Sequence, residues 1–253
     1  MRTAIISDIH GNLEALSVVL EHMTSQNVDR VICLGDILGY GPNPVECVDL
    51  VIEKCHFALM GNHDFGALYE PTNFNAVAEQ AAYWTRAQFE AEGDPDKAAR
   101  RWEFLGSLRV RIAYGDFICV HGTPRRPINE YLFPEDAINS PVKMQQVFDR
   151  VEKYCLVGHT HVPGVFTDEP DFYPPDDLNG SYQLNDDEKA IINPGSVGQP
   201  RDLDPRASYA ILDEDKKGVE FFRLPYDIDA VFDKIQAVPE LSDWLGERLK
   251  EGR

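Results

Sequence analysis

Long apolar runs are missing from this chain, and no stretch approaches the ~20 residues that a membrane-spanning helix needs. The first apolar run, Thr3 to Ser7, is too short for a secretion signal, so the expectation is a soluble cytoplasmic protein without membrane attachment. Basic residues are scarce: 24 Lys and Arg face 43 Asp and Glu, a formal net charge of −19. Such a surface disfavours non-specific attraction to nucleic acid and to anionic membranes. Cysteine pairs are also absent. Five cysteines occur, none in a C-x-x-C arrangement, and Cys33, Cys119 and Cys155 sit inside apolar runs. That pattern reads as buried free thiols in a reducing compartment. Neither repeats nor a Gly/Pro/Ser linker divide the chain. Its 253 residues, 43% hydrophobic, suit one domain spanning 1–253.

What is present is an alternation of short apolar runs and helical patterns. Residues 3–7, 30–34, 56–60, 116–120 and 154–157 read as strands. Between them, helices are expected at about 12–26, 44–53, 75–91, 94–105 and 141–151. Asn12 and Asp94 stand as N-caps, with Pro95 at a first helical position. The second half looks more antiparallel, with strands at 164–167, 189–193, 208–213 and 218–224 and helices at about 227–237 and 239–250. Residues 65–105 read as a helical lid or a structural helical pair. Residues 168–188, rich in Asp, Pro and Asn, read as a solvated acidic loop. The class is α/β.

Five of the apolar runs end in groups that bind metal or move protons. Asp8 and His10 follow the first, Asp36 the second, and Asn62, His63 and Asp64 the third. His121 follows the fourth, and His159 and His161 the fifth. Ligands of open α/β sheets bind at the carboxyl ends of strands, so these side chains can converge. Of seven histidines only His22 and His56 lie elsewhere, and both read as structural. Carboxylate, imidazole and amide oxygen suit Mn, Fe, Co, Ni or Zn, with Mg also accommodated. Asp8/His10 and His159/His161 are spaced i, i+2, which on extended backbone points both members the same way. An isolated H-x-H or D-x-H is weak evidence. Five such groups in order, each closing a strand, are not.

The sequence thereby resembles the calcineurin-like metallophosphoesterase superfamily, and within it the small bacterial and archaeal phosphodiesterase branch. The residues that carry the likeness are SDIH (7–10), GDILGYGP (35–42), GNHD (61–64), VHG (120–122) and GHTH (158–161). The resemblance implies a four-layer α/β/β/α sandwich of two mixed sheets flanked by helices. It also implies two divalent ions, with Mn the first expectation. Asp8, His10 and His161 would hold one, Asn62, His121 and His159 the other, and Asp36 would bridge. His63 would not ligate but act as general acid, with Asp64 orienting its ring. Two ions sharing a hydroxide permit in-line attack on a phosphate ester, and two carboxylates leave the pair locally positive. Phosphoprotein phosphatases and dinucleoside tetraphosphatases of this superfamily carry an arginine where Tyr40 stands here. Tyrosine cannot grip a phosphate bidentately, which turns the expectation toward a small diester.

Tyr40, Arg125 and Arg201 are candidate substrate contacts. For each arginine the competing reading is a surface ion pair. The NPGSVG run (193–198) lacks the Lys of a P-loop and reads equally as a turn shaping the rim. Competing functions are phosphomonoester, phosphoprotein or dinucleoside polyphosphate hydrolysis, and a catalytically silent scaffold of the same fold. A nuclease is disfavoured by the acidic charge.

Overall fold

The apolar runs that open the chain are buried on both faces, which requires layers above and below them. In the computed structural model, which describes all 253 residues, they form the centres of two six-stranded sheets. In chain order the elements are β1 (Arg2–Ile6), α1 (Leu13–Ser25), β2 (Arg30–Cys33), α2 (Pro44–Lys54), β3 (Phe57–Ala58), α3 (Asn62–Leu68), α4 (Ala76–Glu90) and α5 (Pro95–Ser107). There follow β4 (Arg111–Tyr114), β5 (Phe117–Val120), α6 (Asp136–Asn139), α7 (Pro141–Phe148), β6 (Tyr154–Leu156), β7 (Gly164–Thr167), β8 (Asp171–Tyr173) and β9 (Ser181–Gln183). The chain closes with β10 (Ala190–Asn193), β11 (Ala207–Asp213), β12 (Gly218–Leu224), α8 (Ile228–Gln236) and α9 (Trp244–Glu251).

The first sheet runs β3-β2-β1-β11-β12-β9 and the second β4-β5-β6-β10-β7-β8. Each is mixed. β1, β2 and β3 are parallel, as are β5, β6 and β10, while the remaining pairings are antiparallel. Strand alternation assigns side chains to layers. Ile5, Ile32 and Leu212 meet Cys119, Leu156 and Ile192 between the sheets. Ala4, Ile6 and Cys33 face the other way, against Leu16 and Val19 of α1 and Val48 and Val51 of α2. Cys155 and Ile191 face Met144 and Val147 of α7. The expected α/β/β/α sandwich is therefore the observed one. No helix is long and apolar enough to cross a membrane.

One stretch departs from the sequence reading. Residues 168–188 are not a plain loop: they carry β8 and β9, which add to the edges of different sheets. Strands of three residues, half exposed at an edge, need few apolar side chains and leave little periodic signal. Within 65–105, α5 is bound to the body of the fold. The buried guanidinium of Arg101 joins Asp49 of α2 at 2.7 Å and Glu92 at 2.5 Å. Of this region, Thr72, Asn73, Phe74, Asn75 and Ala78 line a cleft together with Asn62 and His63.

Candidate metal centre

The parallel strands of both sheets point their carboxyl ends at one spot. There the chain turns sharply, and the turns use left-handed backbone at Asp8 (φ 54°), His10 (49°), Asp36 (53°), His159 (68°) and His161 (62°). Non-glycine residues adopt this region uncommonly, at a conformational cost that the surrounding structure must outweigh. It also corrects the expectation that the i, i+2 pairs converge on extended backbone. Asp8/His10 and His159/His161 converge because both members of each pair are left-handed.

Close approach explains the motif glycines. A Cβ on Gly61 would stand 2.0 Å from Oδ1 of Asp36, and one on Gly158 would stand 2.1 Å from Oγ of Ser7 and 2.8 Å from Oδ2 of Asp8. The main chains of neighbouring turns thus touch the side chains they frame.

All seven residues expected to bind metal are buried in one cluster. Donor atoms of Asp8, His10, Asp36 and His161 lie within 4.8 Å of one another, as do those of Asp36, His121 and His159. Asp36 belongs to both groups. Its Oδ2 is 3.6 Å from Nε2 of His10 and 3.3 Å from Nε2 of His121. Oδ1 of Asp8 is 3.3 Å from Nε2 of His161, and Oδ1 of Asn62 is 3.3 Å from Nε2 of His121.

The cluster has the chemistry of a cation site. Nδ1 of His10 meets the carbonyl of Leu38, that of His121 the carbonyl of Leu34, and that of His161 the carbonyl of Gln199. A carbonyl only accepts, so each Nδ1 carries the proton, and Nε2 of His10 and of His161 presents a lone pair inward. Nε2 of His159 is buried with no partner. Burial pushes His10 and His161 down, and His159 down to about 3, which keeps these rings neutral. Asp8 and Asp36 are buried with no Lys or Arg beside them. Burial alone would raise them, but the surrounding imidazoles hold them low and charged. Burial lowers His121 too, yet the carboxylates of Asp36 and Asp8 raise it to about 9. The cage is negative enough to pull a proton onto a buried ring. A divalent ion answers the same field, since buried charges must be paired or coordinate metal.

His63 is the second residue of α3 and lies outside both donor groups. Its ring is 4.3 Å from that of Tyr40 and 4.6 Å from that of Phe74. Burial pushes it down to about 4. Asp64 does not orient it. The Asp64 carboxylate accepts four backbone N–H groups: Asp36 at 2.8 Å, Ile37 at 3.0 Å, Leu38 at 3.1 Å and Gly61 at 3.0 Å. Nδ1 of His63 has no hydrogen-bond partner. Adjacent helical residues point about 100° apart, so one cannot reach the other's ring. Asp64 instead braces the turn that carries Asp36.

The 193–199 run braces the opposite wall. Asn193 donates to the carbonyl of Gly158 and the hydroxyl of Thr160, both at 2.9 Å. Ser196 donates to the carbonyl of Asp8 at 2.8 Å. Asn12 caps α1 through Ala15, as expected, and also donates to the carbonyl of Gly198 at 2.9 Å.

An open cleft of about 320 Å³ adjoins the cluster, lined by Tyr40, Asn62, His63, Phe74, Tyr131 and His159 among others. Tyr131 escaped the sequence reading. It stacks on His159 at 3.7 Å, yet it lies in a segment with no motif or periodicity to mark it. Arg125 is not a cleft residue. It is paired with Glu130 at 2.5 Å and with Gln146, which is the surface ion-pair alternative. Arg201 does reach the site. Its guanidinium lies 6.0 Å from the Tyr40 ring centre and has no carboxylate partner.

Residues 1–217 match the family described as the calcineurin-like phosphoesterase superfamily domain. An uncharacterized protein of Methanocaldococcus jannaschii, MJ0912, is 39% identical over 257 residues, covering 99% of this chain and 98% of the relative. A metallophosphoesterase from Sphaerobacter thermophilus is 38% identical, with a TM-score of 0.84 over 100% of this chain and 99% of that one. The protein PH1004 from Pyrococcus horikoshii is 18% identical with a TM-score of 0.76, covering 100% and 98%, a likeness of fold. With the sandwich, the buried His/Asp cluster and these matches together, the chain belongs to the calcineurin-like phosphoesterase superfamily of metal-dependent phosphate-ester hydrolases.

Proposed function

We propose that this enzyme is a phosphodiesterase that uses two divalent ions, one held by Asp8, His10 and His161, the other by Asn62, His121 and His159, with Asp36 serving both. The observation that carries the reading is the pair of overlapping donor groups that share Asp36. Bound there, such ions supply Lewis acidity and an activated water for displacement at phosphorus. Manganese is the proposed metal, since the donor set is carboxylate, imidazole and amide oxygen without thiolate.

The protein's own residues supply the rest. His63 stands at the cleft, outside both groups, and acts as general acid toward the leaving oxygen. Its low pKa leaves it neutral at pH 7, so substrate charge must raise its affinity for the proton it delivers. The aromatic wall of Tyr40 and Phe74 beside it keeps water from competing for that proton. Asp64 holds the 36–38 turn, and Gln199 holds the His161 ring by its carbonyl. Tyr40 favours a diester. An aromatic ring occupies the position beside His63 where a guanidinium would grip a monoester dianion. Five free cysteines support a reducing, cytoplasmic setting.

Hydrolysis of bis-p-nitrophenyl phosphate by the Mn-loaded protein tests the reading. Faster turnover of p-nitrophenyl phosphate than of the diester would reverse the preference for diesters. Absence of turnover on diesters, monoesters and dinucleoside polyphosphates across Mn, Co, Ni, Zn and Mg would sink the hydrolase assignment itself.

A further inference from the structure

Of the four histidines in the two donor groups, three are set by a backbone carbonyl and the fourth is not. Leu38, Leu34 and Gln199 hold the rings of His10, His121 and His161 through Nδ1. The ring of His159 has no such bond, and its Nε2 is buried without a partner. The torsion that turns an imidazole about its Cβ–Cγ bond is broad, so a ring without that bond needs another restraint to face an ion. The main chain of His159 is fixed, since its N–H donates to both carboxylate oxygens of Asp8 at 3.2 and 3.1 Å. That anchor leaves the ring torsion open.

The ring is met instead by Tyr131. The two stack with centroids 3.7 Å apart and planes 20° from parallel, and Tyr131 in turn stacks on Phe133 at 5.0 Å and 5°. Rotation of the His159 ring would drive its edge into the Tyr131 face, so the stack fixes the ring plane as the carbonyls fix the others. The loop that carries Tyr131 runs from β5 to α6 and begins at His121, which shares a donor group with His159. Glu130 closes this loop. Its carboxylate accepts from Oγ1 of Thr123 at 2.5 Å and from Nε and a terminal nitrogen of Arg125 at 3.0 and 2.5 Å. Gly122 permits the closure, because a Cβ there would stand 3.0 Å from the carbonyl oxygen of Glu130. Beyond Tyr131, the N–H of Phe133 donates to Asp136 at 2.9 Å. One closed loop thus has His121 at its root and His159 under its ring. Tyr131 itself is 37% exposed, so truncating it removes a surface ring and not a core one.

We propose that Tyr131 is the positioning residue for the second ion: it sets the His159 ring by stacking, in place of the carbonyl that sets the other three imidazoles. The proposal rests on the two-ion reading above. It makes the ion of Asn62, His121 and His159 depend on the 121–133 loop, whereas the imidazoles around the ion of Asp8, His10 and His161 are both held by carbonyls.

Calorimetric titration of the chelator-stripped, full-length protein with Mn tests this. Wild type should take up two ions. Tyr131→Ala should bind one ion as wild type does and the other about tenfold to a hundredfold more weakly, the usual effect of losing an outer partner of a metal ligand. Tyr131→Phe keeps the ring and should restore both affinities. Phe133→Ala, which removes only the backing ring, should weaken the same ion by less. Paramagnetic resonance supplies a signature apart from turnover. At two equivalents of Mn, wild type should show the exchange-coupled spectrum of a metal pair, and Tyr131→Ala the resolved hyperfine lines of isolated Mn. Equal weakening of both ions, or a lower melting temperature with both affinities intact, would give Tyr131 a structural role only and overturn the proposal. A raised KM with both affinities intact would make it a substrate contact and overturn the proposal as well. Should Tyr131→Ala fail to fold, Tyr131→Leu and Phe133→Ala decide. A wild-type protein that takes up one ion or none would overturn the two-ion reading and this role with it. Two ions bound unchanged in Tyr131→Ala would overturn this role alone.

Discussion

The Nε2 atoms of His10 and His161 stand 3.2 Å apart, each with its lone pair turned inward because the opposite ring nitrogen donates to a carbonyl. Two facing lone pairs beside the buried carboxylates of Asp8 and Asp36 repel until a cation comes between them.

Metal binding should therefore stabilise the fold directly. A ligand that binds only the native state adds about 2.7 kcal/mol at a hundredfold excess over its Kd. Thermal melts with Mn against EDTA should differ by several degrees. In Asp36→Asn the difference should shrink, because Asp36 belongs to both donor groups. Identical melts with and without metal would contradict the assignment.

His63 should matter to rate rather than to loading. Loss of a general acid costs about 10²–10⁴ in kcat. His63→Ala should therefore lose at least a hundredfold while elemental analysis still finds the wild-type metal content. An ester with a much better leaving group, which needs less protonation, should recover part of the loss. Equal loss on good and poor leaving groups would argue against proton donation.

Asp64 should act on stability and, through Asp36, on metal affinity. Removing a buried carboxylate strands four backbone N–H groups, and each unsatisfied group costs about 1–3 kcal/mol before relaxation or entering water. Asp64→Ala should lower stability by about 3 kcal/mol or more and weaken metal binding. Asp64→Asn, which keeps an acceptor oxygen, should lose less. Denaturant melts and metal titrations of the two variants decide this, and a rate defect without either change would return Asp64 to the role of orienting His63.

Acid should loosen the loop after His121. Burial alone would raise Glu130, but its bonds to Arg125 and Thr123 hold it below the ordinary carboxylate range. A folded-state pKa below the unfolded one, about 4.3, contributes stability that is complete above that value and is lost as pH falls through the folded pKa. Glu130→Gln should thus be less stable than wild type by roughly 1 kcal/mol at pH 7. The two melts should converge as pH falls through the lowered folded-state pKa of Glu130. A gap that does not change with pH would show that packing, not charge, is the source.

Much of the site was legible before any fold was known, and for a local reason. Each proposed metal ligand closes an apolar run, and a run of that length ends where its strand ends. Asp8, His10, Asp36, Asn62, His121, His159 and His161 could be named from that rule and the family likeness together. The same local view failed for Asp64. Its neighbour His63 is one residue away in the chain, but the groups it serves, the N–H of Ile37 and Leu38, are 27 and 26 residues away. It also failed for β8 and β9, since edge pairing uses backbone atoms that any polar residue supplies.

The sequence by itself determined the strand-and-helix order, the chemical types at the strand ends and the acidic surface, because these depend on neighbouring residues and on composition. Tertiary structure decided which groups meet. It made Asp36 common to two clusters, set Tyr131 against His159, and packed Leu245 and Leu249 of α9 beside Tyr40. Those contacts join segments far apart in the chain. Only the packing of two sheets and their covering helices brings such segments within reach of a hydrogen bond or a charge.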